Sequence, residues 1–279
     1  MSSSDKPQGR VLVIAGSDSG GGAGIQADIK SITMLGGYAM TAVTALTVQN
    51  TCGVSGVLPT PPAGIRAQAQ AVLSDIGADV IKTGMLGDVE TVRTVAHIIN
   101  DYKPALGVVV DPVMVATSGD RLLPSKAVDA IRTELVPHMI ITPNAYEAQM
   151  LSGKDVGDIN GQRRAGERLL EAGAAAVVVK GGHVEGDYIT DLLATPQGEI
   201  FIEHDRIESR NTHGTGCTLA SALACGLAQG MTLENALRRA IVYVSEAIRT
   251  APNLGAGSGP INHGWPVADP ERAESLLRF

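Results

Sequence analysis

The chain has 279 residues, 44% of them hydrophobic and only 3% aromatic, with a net charge of −7. That length allows one large α/β domain with a sizeable core, which Ala, Val, Ile, Leu and Met must fill. The acidic balance argues against a general nucleic-acid or anionic-membrane surface and leaves room for one local phosphate site.

The first ten residues, MSSSDKPQGR, are polar and read as a disordered tail, leaving 11–279 as a single domain. Residues 11–15 (VLVIA) are too short a run for a signal segment and predict a buried parallel strand ended by Gly16. The loop GSDSGGGAG (16–24) follows, then apolar residues at helical spacing through Leu35. Four glycines in residues 20–24 suggest a loop with little intrinsic order. Residues 40–48 are rich in β-formers, with Gln49 where that strand would end. A helix is expected from near Pro62 to Ile76, and a strand over 79–83. Asp88 then caps a helix whose Val89, Val92, Val95, Ala96 and Ile99 share one face. Strands over 106–110, 138–142 and 174–179 alternate with a helix over 124–135 and two short helices. Residues 188–194 and 199–204 read as a β-hairpin, followed by helices over 217–228 and 233–250 and an irregular tail. This alternation predicts one α/β domain with a mostly parallel sheet. No stretch reaches the ~18 uninterrupted apolar residues of a membrane span. Cys52, Cys217 and Cys225 match no disulfide or zinc framework. The expectation is a cytoplasmic protein.

Gln49, Lys82, Asp111, Asn144 and Lys180 fall at or just past the C-terminal ends of predicted strands. That edge is where open parallel sheets bind ligands. A second Gly-rich turn, NTHGTGC (211–217), runs into a helix of small residues. Such a helix start presents unpaired amides and the positive end of the helix dipole, which together make an anion site. Cys217 falls near the first helical turn, where a thiol tends to acidify. The turn at Gly22, Gly24 and Ala27 fits a dinucleotide fingerprint only in part, because no Asp or Glu lies between Asp28 and Asp75 to hold a ribose. There is no P-loop and no H-E-x-x-H. Phosphoryl transfer without a P-loop is the chemistry left. Amides at 214–217 would bind the phosphoryl oxygens, and Asp111 and Glu147 would orient Mg²⁺ through water. Lys180 would face a nucleotide phosphate, and Cys217 or a carboxylate would take the acceptor's proton.

On these residues the chain resembles the bacterial hydroxymethylpyrimidine/phosphomethylpyrimidine kinases of thiamine biosynthesis, within the ribokinase-like superfamily. The marks are AGSDSGGGAGIQAD (15–28), TALTVQNT (44–51), KTGM (82–85), DPVMVATSGD (111–120), TPNAYEA (142–148), VKGGH (179–183), THGTGC (212–217) and the tail GAGSGPINH. Their joint occurrence in this order, from 11 to 263, is far more specific than any one alone. The resemblance implies a three-layer α/β/α sandwich around a central, mostly parallel sheet. It implies ATP and Mg²⁺ as cofactors, a small-molecule pyrimidine phosphorylated to the mono- and then the diphosphate, and a homodimer without nucleic acid or membrane partners. Gly16, Ala23, Asp28, Gln49, Met85 and Val113 would line the pyrimidine pocket, with Asp28 and Gln49 hydrogen-bonding the ring nitrogens and amino group. Asn144, Lys180 and Thr212 would contact ATP, and Asp111 and Glu147 the metal. Gly214, Thr215 and Gly216 would form the anion hole, and Cys217 would stand where many superfamily sugar kinases carry Asp. Asn211 departs from the Asp often found there. Pyridoxal kinases, some of dual specificity, share the G-T-G-C ending and are the nearest rival. A silent ligand sensor on the same fold is disfavoured by the joint presence of the anion hole, Cys217 and the acids.

Overall fold

The computed structural model describes residues 8–115, 119, 123–182 and 187–279. Residues 116–118, 120 and 183, which belong to two of the motifs above, and tail residues 1–7 lie outside the described residues. Arg10, assigned above to the tail, already opens β1 (Arg10–Ala15), anchored by its ion pair with Asp79 at 2.6 Å. The first Gly-rich loop leads from β1 into α1 (Gly24–Met34), and the chain returns as β2 (Tyr38–Val43).

The β-rich stretch expected over 40–48 is two strands, because the chain breaks at Thr44. Its N–H bonds the Ala15 carbonyl and its hydroxyl the Met85 carbonyl, both across the cavity mouth. β3 (Ala45–Asn50) and β4 (Gly53–Pro59) therefore form a separate antiparallel hairpin. Gln49 belongs to this hairpin and not to the parallel sheet.

α2 (Pro62–Asp75) starts with proline, whose missing N–H costs nothing there. After β5 (Val80–Thr83) comes α3 (Val89–Tyr102), where the Asp88 side chain accepts from Thr91 N–H as expected. The chain continues through β6 (Val108–Val110), α4 (Ser125–Glu134), β7 (Ile140–Ile141), α5 (Ala145–Ser152), α6 (Ile159–Glu171) and β8 (Ala176–Val179). The hairpin β9 (Tyr188–Thr195) and β10 (Gly198–Asp205) leads to α7 (Thr215–Ala228), α8 (Leu233–Arg249), α9 (Trp265–Ala268) and α10 (Pro270–Leu277).

The eight-stranded sheet runs β10-β9-β8-β7-β6-β5-β1-β2. Its strands pair in parallel from β2 to β8, and β9 and β10 add an antiparallel edge. Period-two alternation splits the core into two layers. Leu12 and Ile14 face the helices from α2 to α6, while Val11, Val13 and Ala15 face α1, α7 and α8. The small residues of α7 let it lie buried between sheet and α8, with Gly226 against Ala236. Strand order reverses between β1 and β5, which makes their C-terminal ends the place for a ligand. Among the described residues no helix is long and apolar enough to cross a membrane.

The C-terminal segment is tied under α7 and α8. Buried His263 bonds Thr218 Oγ1 at 2.9 Å, Tyr243 donates to the His263 carbonyl at 2.7 Å, and Trp265 Nε1 donates to the Tyr243 carbonyl at 3.1 Å. Burial, with help from Lys30 and His213, pushes the His263 imidazole down to about 4. The unfolded chain, with histidine near its ordinary value of about 6.5, then binds the proton first as pH falls. Stability from this site is full above that value and drains away towards the folded one. Between about pH 7.5 and 5 the protein should lose about 2 kcal/mol on this account. In chemical denaturation, His263→Gln should flatten that part of the pH profile; an unchanged profile would show that His263 does not set it.

Candidate active site

At the β1–β5 reversal lies a cavity of about 780 Å³. Every site residue expected from sequence lines it except Asp28. Gly16, Ala23, Gln49, Met85 and Val113 form one end. Thr212, Gly214, Thr215, Gly216 and Cys217 form the floor, facing Asp111, Asn144, Glu147 and Lys180.

α7 starts two residues earlier than the small-residue run suggested, at Thr215, behind Gly214 with φ +85°. Among the described residues no side chain caps it; Thr215 N–H donates to the Thr212 carbonyl at 3.3 Å, and the amides after it are left to face an anion. Lys180 stands directly over them. A methyl group added to Gly216 would sit 3.3 Å from Lys180 Nζ, so the ammonium and the helix start face the same space. The same Nζ lies 3.2 Å from Asp111 Oδ1 and 3.9 Å from Glu147 Oε2. Burial would lower the Lys180 pKa, but Asp111 and Glu147 outweigh it and the ammonium is raised.

Asn144 and Glu147 form a capping box at the start of α5. Asn144 Oδ1 accepts from Glu147 N–H at 2.9 Å, and Glu147 Oε2 accepts from Asn144 N–H at 2.8 Å. Burial pushes Glu147 up to about 7; Lys180 opposes this and the Asp111 charge adds to it. Among the described residues, Asp111 Oδ2 is buried with no hydrogen-bond partner. An unpaired buried carboxylate oxygen is costly, and here it borders the cavity wall beside a second acid.

Asp28 was expected to touch the pyrimidine. It does not reach the cavity. Its carboxylate is fully buried beneath it, accepting from Lys82 Nζ at 2.8 Å and from Ser221 Oγ at 2.5 Å. Position 28 falls on the inner face of α1, opposite α7, which turns the side chain away from the loop that precedes it. Lys82 is fully buried too and sits inside β5 rather than past its end. Burial lowers its pKa, but Asp28, Cys217 and Asp111 more than restore it.

The first Gly-rich loop is pinned, contrary to the expectation of little order. Asp18, which is not among the site residues expected from sequence, accepts from Gly20 N–H at 2.8 Å, Gly22 N–H at 2.9 Å and Ala23 N–H at 2.8 Å. Its Oδ2 also meets His213 Nε2 at 2.8 Å. Burial raises the Asp18 carboxyl, but His213 and these amides more than offset it, so its pKa is lowered. The signal was an Asp two and four residues before glycines, the pattern of a side chain that closes its own turn. His213 in turn lies 3.3 Å from Gln49 Nε2. One imidazole thus joins the loop, the β3–β4 hairpin and the start of α7.

Cys217 does not have the acidic thiol that a helix start suggests. Burial pushes it up to about 12, against the pull of Lys82 and with Asp111 and Asp28 adding to the rise. The helix end loses because the thiol is desolvated among carboxylates.

The family pattern for phosphomethylpyrimidine kinases matches residues 18–262. The chain belongs to that family. It is 46% identical over 261 residues to the hydroxymethylpyrimidine/phosphomethylpyrimidine kinase of Streptomyces coelicolor, covering 93% of this chain and 96% of that one. It is 49% identical to a thiamine biosynthesis bifunctional protein of Geobacter sulfurreducens, covering 92% of this chain but only 52% of that longer protein. Among solved structures, a phosphomethylpyrimidine kinase from Clostridium difficile superposes with a TM-score of 0.76 at 38% identity, covering 86% of this chain and 99% of that one. A Staphylococcus aureus pyridoxal kinase in complex with ADP superposes with a TM-score of 0.85 at 35% identity, covering 92% and 94%. The three-layer sandwich expected from sequence is therefore the architecture of this kinase.

A thiol held near 12 is protonated at neutral pH and a poor nucleophile. Iodoacetamide at about pH 8 should therefore label exposed Cys52 and spare Cys217 and buried Cys225 in the free kinase. Peptide mass spectrometry reads this out. Labelling of Cys217 at the rate of Cys52 would mean that the helix end, not burial, controls the thiol.

Proposed function

We propose that the chain transfers the γ-phosphoryl group of ATP to 4-amino-5-hydroxymethyl-2-methylpyrimidine and then to its monophosphate, for thiamine biosynthesis. The observation that carries this reading is the uncapped start of α7 with Lys180 over it, in one cavity with Gln49 and Met85. Family membership and the names of the relatives support the acceptor.

The nucleotide enters from the β10–α8 side, where Ile207, Leu219, Ile241, Val244 and Ile248 form an apolar slot for a base. The triphosphate then points at Lys180 and the α7 amides. Asp111, with its unpartnered Oδ2, and Glu147 suit a hydrated Mg²⁺, which binds through few protein ligands and the phosphates. That ion would neutralise phosphate charge.

The acceptor lies against Gly16, Ala23, Met85 and Val113, with Gln49 bonding its polar edge. Its hydroxyl oxygen forms the new bond to the γ-phosphorus as the bond to the β-phosphate bridging oxygen breaks and ADP leaves. The hydroxyl proton passes to Cys217 Sγ, which must be a thiolate to take it. The α7 amides and Lys180 hold the oxygens that carry the moving charge.

Pyridoxal is the second acceptor to weigh, because the S. aureus relative is described in complex with AMP-PCP and pyridoxal. ADP release measured with hydroxymethylpyrimidine, its monophosphate and pyridoxal should show the two pyrimidines preferred. Turnover of pyridoxal alone would overturn the reading. Gln49→Leu leaves a polar edge unpaired and should cost roughly 10–100-fold in kcat/KM for the pyrimidine, with ADP binding unchanged; equal losses would move Gln49 out of the acceptor pocket. A Cys217 thiolate is ten times scarcer for each unit below its pKa of about 12. Because the deprotonated form is the active one, kcat should climb about tenfold per unit between about pH 6 and 9. A flat kcat across that range would assign the proton to another group.

A further inference from the structure

The β9–β10 hairpin forms the antiparallel edge of the sheet, and its inner end reaches the cavity wall. There Asp191 of β9, only 3% exposed, spends both carboxylate oxygens on the protein. Oδ1 accepts from Gly181 N–H at 2.7 Å, and Oδ2 lies 3.3 Å from His204 Nε2 on β10. Gly181 is the residue after Lys180. It presses so closely on β9 that any side chain would drive into the Thr190 carbonyl. Gln162 of α6 closes the same seam, donating to the Thr190 carbonyl at 3.0 Å.

On its other side the Lys180 backbone continues the parallel sheet. Its N–H donates to the Pro143 carbonyl at 2.9 Å, and Lys180 bridges to Asn144. The lysine that stands over the α7 amides is therefore gripped from two sides, by Asn144 and by the Asp191 carboxylate. A carboxylate that accepts a backbone N–H makes one of the stronger hydrogen bonds available to a protein. Burying one beside a ligand cavity is costly unless it is fully paired. Asp191 is paired, and what it holds is the turn that places the Lys180 ammonium over the start of α7.

We propose that Asp191, braced by His204, is a positioning residue for the nucleoside triphosphate. It fixes the 180–181 peptide so that the Lys180 ammonium meets the terminal phosphates; although Asp191 lines the cavity, it acts through that peptide. This rests on the reading that the cavity binds a nucleotide. Without Asp191, Gly181 N–H loses its partner and the turn relaxes towards solvent. Arg206, which donates to the Gly182 carbonyl at 3.0 Å, still tethers the outer end, so the change is confined to 180–181.

The test is Asp191→Ala, beside Asp191→Asn, which keeps an oxygen for Gly181 N–H, and His204→Phe, which removes only the brace. ADP binding measured by calorimetry comes first, because it needs no acceptor. We expect about tenfold weaker ADP binding and a similarly raised KM for ATP in Asp191→Ala, with the KM for the pyrimidine within twofold of the parent. Asp191→Asn should recover most of the loss and His204→Phe should lose about threefold. A merely structural role would lower the melting temperature and scale both KM values alike, and that result would overturn the proposal. So would parental ADP affinity in Asp191→Ala. Should Asp191→Ala not fold, His204→Phe decides by the same two measurements. A parent chain that binds ADP yet turns over no pyrimidine would sink the functional reading and leave this proposal to stand or fall on ADP affinity.

Discussion

Two stretches of backbone touch where this active site is made. Gly214, at the start of α7, lies so close to Gly22 of the first loop that a side chain would drive into the Gly22 carbonyl. Gly22 in turn leaves no room for a methyl group beside His213. Only glycine permits this approach, and at Gly214 only glycine adopts the left-handed φ without strain. The contact decides how far the first Gly-rich loop stands from the start of α7. Everything else in the cavity is arranged around that spacing. Asp18 and His213 lock the loop in place, and the C-terminal segment backs it, with His213 bridging to Pro260.

Beneath the contact the protein buries charge that a core would ordinarily exclude. Asp28, Lys82 and Ser221 are all fully buried, with Lys82 and Ser221 both donating to the Asp28 carboxylate. Such a pair gains little net stability over an apolar replacement, yet removing one member costs about 3–5 kcal/mol. Its place, below the first turn of α7 and next to Cys217, sets the electrostatic floor of the cavity. The thiol feels Lys82 as an attraction and the carboxylates as a repulsion, and desolvation outweighs the balance.

Above the floor, Lys180 speaks to both sides. Its ammonium answers Asp111 and Glu147 on the sheet edge and faces the α7 amides across the cavity. Two acids and one lysine leave the cluster one negative charge in excess when both acids are ionised. Glu147 lies near 7 because burial and Asp111 outweigh Lys180.

Much of this was legible in the chain. Apolar runs of four to six residues ending at glycine or proline become strands because a parallel sheet covered on both faces needs them apolar throughout. Asp88 and Asn144 cap helices for reasons local to a few residues. Glycines after strands and before α7 announce close backbone approach, and Asp111, Asn144 and Lys180 sit where strand ends must converge. What the chain could not reveal is which way a side chain turns once helices pack. Asp18 clamps its own loop through a local pattern, whereas only the packing of α1 against α7 sends Asp28 under the floor. Likewise, the acidity of Cys217 follows from dipole and desolvation together. The dipole is a property of local sequence, whereas desolvation depends on the segments, distant along the chain, that close over the thiol.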